Sequence, residues 1–404
     1  MDDEQSDRTG VAQDTTPARD GDDGRAVGRV DRLAEDHRRL HHHLFEAISD
    51  RHRIPVSSFS SAVEDTRLED PPSAAMMMSV TAMAKGAPMS EQPLSTPWSR
   101  SLGLRVPVVN APMGGAAGGR LAAAVSAAGG LGMIGMGSAG SVAALRREVA
   151  IAGTPDGIGL VDWVRARETG LLEAAIAARP RLISVSFGTD FAWVPQVQDA
   201  GILTVTQVYD APGAHRAQDA GIDVLVARGS EGGGHGADRL GLLPLLDAVL
   251  EIATVPVLAA GGIGSGRTLA AVLAAGAAGA WLGTCLAAAE ESLLPESARL
   301  AMLAADSSST TVTTAFDEAL DLPWPPIYPA RVLRNEFTDP WVRPDADDLP
   351  DAERLRAAIA VDDPKLAPVD AGQGVGLVTH IEPAAAVIDR LCGDAAELLA
   401  SRHT

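Results

Sequence analysis

From Val106 onward, short apolar runs alternate with longer Ala-rich stretches, and no other feature of the sequence constrains the fold as much. The runs are Val106–Pro112, Leu131–Gly135, Gly157–Val161, Leu182–Gly188, Ile202–Val208, Asp223–Gly229, Val255–Gly262 and Gly279–Gly283. Each is apolar nearly throughout rather than at every second residue, the pattern of strands covered on both faces. The stretches between them, such as LAAAVSAAG and RTLAAVLAAG, carry apolar residues at helical spacing and end in Gly or Pro. Eight strand–helix units in succession argue for a closed (β/α)8 barrel, a TIM barrel, over an open doubly wound sheet.

Composition agrees with a large buried core of small side chains. The 404 residues are 46% hydrophobic but only 3% aromatic, and 41 are glycine, so Ala, Val and Leu must fill the interior. A formal net charge of −20 repels polyanions, which argues against nucleic acid or an anionic membrane surface as partner. Two cysteines, Cys285 and Cys392, cannot build a disulfide framework or a four-cysteine zinc site, and they fit a cytoplasmic location. Leu121–Leu145 and Thr268–Ala289 are uncharged and long enough to span a bilayer. Both are Ala/Gly-rich and broken by glycine where a helical pattern passes into a strand pattern, so they read as barrel core.

Residues 1–95 have scattered apolar residues and no persistent period, and are expected to form a disordered extension with at most a short helix at Val30–Ile48. Within it, His41–His43 reads as a solvated tract, because no Cys or carboxylate stands at a clear ligand spacing. The cluster Met76–Met78 raises the expectation that translation starts there. The barrel is expected over 96–306, with a Pro/Asp-rich insertion capping its mouth over 307–371. A C-terminal segment over 372–404 completes the barrel, with a final helix at Glu382–Ala400.

In such a barrel, ligands gather at the C-terminal ends of the strands. The first run ends in Pro112-Met113-Gly114, a turn whose backbone can approach a flat ligand closely, and the fifth ends near Gln207. The sixth leads into Arg228–Gly236, a flexible glycine loop bearing one imidazole, His235, whose near-neutral pKa class suits proton transfer. Gly261-Gly262 after the seventh run and Gly283-Thr284 after the eighth have the form of a barrel phosphate site. Glu231 and His235 lack a third ligand, so no metal is expected. Gly130-x-Gly132-x-x-Gly135 matches a dinucleotide fingerprint by letters, but it enters a strand instead of leaving one.

The strings APMGG, AAAVSAAGGLGMIG, SVSFG, TQV, GSEGGGHG, PVLAAGGIGSGRTLAAVLAAGAAGAWLGT and GQGVGL together resemble the nitronate monooxygenase family, formerly 2-nitropropane dioxygenases. These are FMN-dependent (β/α)8 oxidoreductases. The resemblance runs from about Pro107 to Glu291 and resumes at Ala371–Leu377. It implies that Pro112, Met113 and Gly114 lie at the isoalloxazine ring, that Gln207 reaches the flavin, and that Gly233 follows the ribityl chain. Gly261, Gly262, Gly283 and Thr284 would surround the phosphate, and His235 would be the catalytic histidine. The implied partners are a small-molecule substrate and O2, and the implied reaction is oxidation of an alkyl nitronate to a carbonyl compound and nitrite. The same barrel also serves NAD(P)H-dependent reductases of quinones or enoyl thioesters, and a flavin- or phospho-ligand-binding barrel without catalysis is the non-enzymatic alternative. Three residues depart from the family pattern: Arg228 replaces Gln, Asp or Glu, Gly159 replaces a frequent Asn, and Cys285 stands where Arg is common.

Overall fold

The computed structural model describes residues 94–338 and 352–401. The expectations for the N-terminal extension, its helix, its His tract and the Met76–Met78 start fall outside those residues, apart from Leu94 and Ser95 of the extension.

All eight apolar runs form strands, most of them shorter than the run because its outer residues turn into loops. They are β1 (Val108–Asn110), β2 (Met133–Met136), β3 (Gly157–Val161), β4 (Leu182–Ser186), β5 (Leu203–Val208), β6 (Val224–Arg228), β8 (Val257–Ala260) and β9 (Gly279–Leu282). The strand between, β7, is Gly234–His235 and belongs to a different sheet. The eight pair in parallel in the order β1-β9-β8-β6-β5-β4-β3-β2. A parallel bridge from Val109 to Leu131 brings the two ends of this order together. Asn110 completes that seam with its side chain, which accepts from the Met133 N–H at 2.7 Å and donates to the Met133 carbonyl at 2.9 Å. A buried amide here substitutes for missing ladder hydrogen bonds, which an apolar residue of similar size could not do.

Alternate strand residues face two cores. Val109, Met133, Leu182, Val205, Val226 and Leu258 form a cluster of strand residues inside the ring, joined by the buried Trp98 of a short helix, Pro97–Ser101. The sequence reading did not anticipate this helix. Thr96 caps it in a reciprocal capping box with Ser99 and also donates to the Ala278 carbonyl, tying the plug to the strands' N-terminal end. The other strand faces pack against the surrounding helices. The uncharged stretch Leu121–Leu145 is divided among helix Gly119–Ala127, β2 and helix Val142–Ala152. Likewise, Thr268–Ala289 is divided among helix Gly266–Ala274, β9 and helix Thr284–Ala287. Among the described residues no helix is long and apolar enough to cross a membrane. The final helix, Ala384–Ala400, packs against Gly266–Ala274 and Gly119–Ala127, the place of the helix that should follow β9.

Between β9 and that helix the chain adds β10 (Thr310–Thr313) and β11 (Ala330–Leu333), which with β7 make a second, antiparallel sheet in the order β10-β11-β7. The pairing of Ala330 with His235 makes the histidine loop an edge strand of this sheet.

Candidate active site

A cavity of about 740 Å³ opens at the C-terminal ends of the barrel strands. Pro112, Met113, Gly114 and Gln207 line it, as do Gly233, His235, Gly261, Gly262, Gly283 and Thr284, so every site residue expected from the sequence meets in one space. Several of these positions tolerate no side chain. A Cβ on Gly233 would stand 2.5 Å from the Gly372 nitrogen, because the glycine loop after β6 and the Ala371–Gly374 segment meet backbone to backbone. At the far end, the N–H groups of Gly262 and Thr284 have no acceptor among the described residues. Thr284 uses its hydroxyl to accept from the Gly372 N–H at 2.9 Å.

The loop after β6 is not the free glycine loop the sequence suggests. Arg228, at the end of β6 and buried, turns its guanidinium onto the loop, and Nη2 donates to the carbonyls of Gly232, Gly233 and Gly234 at 3.0, 2.9 and 3.1 Å. Burial lowers the pKa of this guanidinium, with neighbouring Tyr209 acting in the opposite sense. Glu231 is drawn away from His235, since its carboxylate accepts from the Leu242 N–H at the start of helix Leu242–Leu250.

His235 is held on two further sides. Its Nε2 lies 3.1 and 3.0 Å from the two carboxylate oxygens of the buried Asp317. Its ring stacks on Trp324, with centroids 3.6 Å apart and planes within 5°. Trp324 is fixed in turn by an Nε1–H donated to the Ser138 hydroxyl at 3.0 Å and by edge contacts with Trp163 and Phe187. Phe187, on the cavity wall, has φ +71°, a left-handed conformation that costs a bulky side chain about 1–2 kcal/mol. Such strain persists only where the surroundings hold it, and here the aromatic wall does so. On Gln207, the Oε1 accepts from the Tyr209 hydroxyl at 3.3 Å.

Asp370 also faces the cavity. Its carboxylate is open to the cavity space yet ringed by protein, and no described residue hydrogen-bonds to it. Desolvation pushes its carboxyl above the ordinary range, His235 and Arg228 oppose this, and Asp317 adds to it. Asp317, Trp324 and Asp370 were not legible as site residues. Asp317 stands 82 positions from His235, and only the β7–β11 pairing brings them together. Trp324, in a chain with six tryptophans, was the one available signal.

The three departures acquire physical reasons. Arg228 clasps the histidine loop. At Gly159, a Cβ would stand 2.2 Å from Pro112 Cγ, so the proline ring occupies the space a side chain there would need. Cys285 is buried, with its thiol directed at the Ile263 carbonyl at 3.8 Å, and burial pushes that thiol up to about 11.

A family model described as nitronate monooxygenase matches residues 162–394. The chain is 30% identical over 286 residues to a nitronate monooxygenase of Paraburkholderia phytofirmans, covering 59% of this chain and 76% of that protein. It is 32% identical over 253 residues to a (3aS,4S,5R,7aS)-5-hydroxy-7a-methyl-1-oxo-octahydro-1H-indene-4-carboxyl-CoA dehydrogenase of Mycobacterium tuberculosis, covering 61% of this chain and 68% of that protein. The share of the first curated relatives that is matched runs from 50% to 76%. Among solved structures, a nitroalkane oxidase from Streptomyces ansochromogenes superposes with a TM-score of 0.61 at 30% identity, covering 75% of this chain and 99% of that one.

Proposed function

The chain belongs to the nitronate monooxygenase family of oxidoreductases, and on that premise we propose that it uses FMN to oxidise alkyl nitronates with O2, giving a carbonyl compound and nitrite. The observation that carries the proposal is the meeting of the glycine turns, Gln207 and His235 in one cavity at the strand ends.

The residues present fit a flavin mononucleotide. A cavity of about 740 Å³ lies within the range of small-molecule sites, roughly 300–1,000 Å³. Its two ends differ in the required sense. The open N–H groups at Gly262 and Thr284, with Gly261 and Gly283 beside them, suit a phosphate. Pro112, Met113 and Gly114 offer a turn against which a flat ring can lie, the Gly233 backbone lines the path of the ribityl chain, and Gln207 supplies an amide to the ring's polar edge. When bound, FMN supplies the electron transfer and the reaction with O2. The chain's own residues bind and orient the nitronate. Phe187 and Trp324 wall the space beside His235 and exclude water, which strengthens each electrostatic contact inside. His235, held between Asp317 and the face of Trp324, turns its unpartnered Nδ1 side to the nitronate, where a hydrogen on that atom would be donated to a nitronate oxygen and stabilise its negative charge.

The test is the visible spectrum of the purified protein under anaerobic conditions, before and after an alkyl nitronate and, separately, NADH or NADPH. Bleaching by nitronate alone is the expected result, and a protein that shows no flavin band even after FMN addition refutes the proposal. His235→Asn should lower turnover while leaving FMN bound. A second reading, reduction or dehydrogenation of thioester substrates, is favoured by the similarity to a carboxyl-CoA dehydrogenase. Bleaching by the nicotinamide alone would select it.

A further inference from the structure

Resting on that reading of His235, we infer that Asp317 is its positioning residue: the carboxylate holds the imidazole with a hydrogen on Nε2, so that Nδ1 is the atom offered to substrate. Asp317 is 6% exposed, on a short helix, Ala315–Leu320, that lies between β10 and β11. Both its oxygens lie on His235 Nε2, at 3.1 and 3.0 Å, and its side chain bonds no other described residue. A carboxylate placed for its helix would turn to a backbone N–H, as Asp210 does at Gly213. Burying a carboxylate against a single imidazole costs desolvation that the fold alone does not require.

The geometry sets the tautomer. A carboxylate only accepts, so Nε2 must donate, and a neutral ring then carries its lone pair on Nδ1. A protonated ring carries a hydrogen on Nδ1 as well, free to be donated, since no described residue bonds Nδ1. The parallel stack on Trp324 opposes the half-turn about χ2 that would put a carbon where each ring nitrogen now lies and break the bond to Asp317. Trp324 is itself locked by Ser138, Trp163 and Phe187. The charged groups facing His235 are Asp317, Asp370 and, behind the glycine loop, Arg228, and of these only Asp317 touches the ring. The strands β10 and β11 therefore do more than cover the mouth, because they bring the group that orients the histidine on the barrel loop.

The experiment compares Asp317→Asn, Asp317→Glu and His235→Asn with the wild-type FMN-loaded chain. Steady-state kinetics on an alkyl nitronate, FMN occupancy and the long-range ¹H–¹⁵N spectrum of histidine-labelled protein are measured for each. The amide of Asn can donate or accept at Nε2, so Asp317→Asn should lower kcat on the order of 10²-fold. KM and FMN occupancy should stay near wild type, and the His235 ring signals should move from a pure Nε2–H pattern to a mixture. Asp317→Glu should recover part of the loss. A kcat near wild type in Asp317→Asn, beside a large loss in His235→Asn, overturns the inference, as does FMN loss or unfolding in Asp317→Asn. Unchanged turnover in His235→Asn would fail the functional reading instead, and the nitrogen spectrum then decides alone whether Asp317 sets the tautomer.

Discussion

Replacing Arg228 with Met tests whether the glycine loop is held by its guanidinium or merely lies over it. Nη2 meets three carbonyls at 2.9–3.1 Å, but one NH2 group carries two hydrogens and can make at most two nearly linear bonds. Charge-assisted bonds contribute about 1.5–3 kcal/mol each, so the gross loss is roughly 3–6 kcal/mol. Part of this is returned, because a buried cation carries a desolvation cost of its own, visible in the lowered pKa of Arg228. A net destabilisation of about 2–3 kcal/mol is expected, read from urea unfolding as a lower midpoint at unchanged slope. The loss should extend to function, since Gly232–Gly234 lead directly to His235 and a histidine displaced by about 1 Å forfeits much of its effect. Arg228→Lys should fall between, as its shorter side chain keeps the charge but holds the ammonium short of the three carbonyls. Stability within about 0.5 kcal/mol of wild type together with unchanged kcat in Arg228→Met would refute the clasp, and would mean that pairing with β11 alone positions the loop.

Two further outcomes follow from the cavity carboxylate and the two buried thiols. The folded-state carboxyl of Asp370 is raised, so between the ordinary value of 3.8 and that raised value the folded protein binds more protons than the unfolded chain, and stability falls as pH rises through this window. Asp370→Asn should therefore unfold at a higher temperature than wild type at pH 7, with the difference vanishing below about pH 4, whereas a lower Tm at pH 7 would assign the carboxylate a favourable partner. Cys285 and Cys392 are both buried, with their thiols pushed up to about 11 and about 12. At pH 8 the thiolate fraction is then on the order of 10⁻³ or less, so a chromogenic disulfide reagent should titrate neither thiol until denaturant is added, and rapid native labelling would contradict the burial.

The barrel was legible because its signal is local. A strand covered on both faces needs a short run that is apolar throughout, a helix on the ring needs apolar residues at its own period, and eight such pairs leave one closed arrangement. The glycine turns were legible for a related reason: backbone that bends sharply or approaches a ligand excludes a Cβ, and that exclusion is written at single positions such as Gly233 and Gly262. The seam was not, since Asn110 in the first run gives no sign that its amide will bond β2. Nor was the plug, because one Trp before the barrel has no period to reveal it.

What the sequence determined by itself is thus the ring of strands, the cavity's position at their ends and the presence of one histidine there. Tertiary structure alone decided how that histidine is held. Arg228 reads in the sequence as an isolated departure and becomes a clasp only when its side chain folds onto carbonyls four to six residues ahead. Asp317 and Trp324 lie in a segment with no strong periodicity and reach His235 through β7–β11 pairing across a long stretch of chain. Interactions of that range depend on which surfaces meet after folding, and a linear pattern carries no record of them.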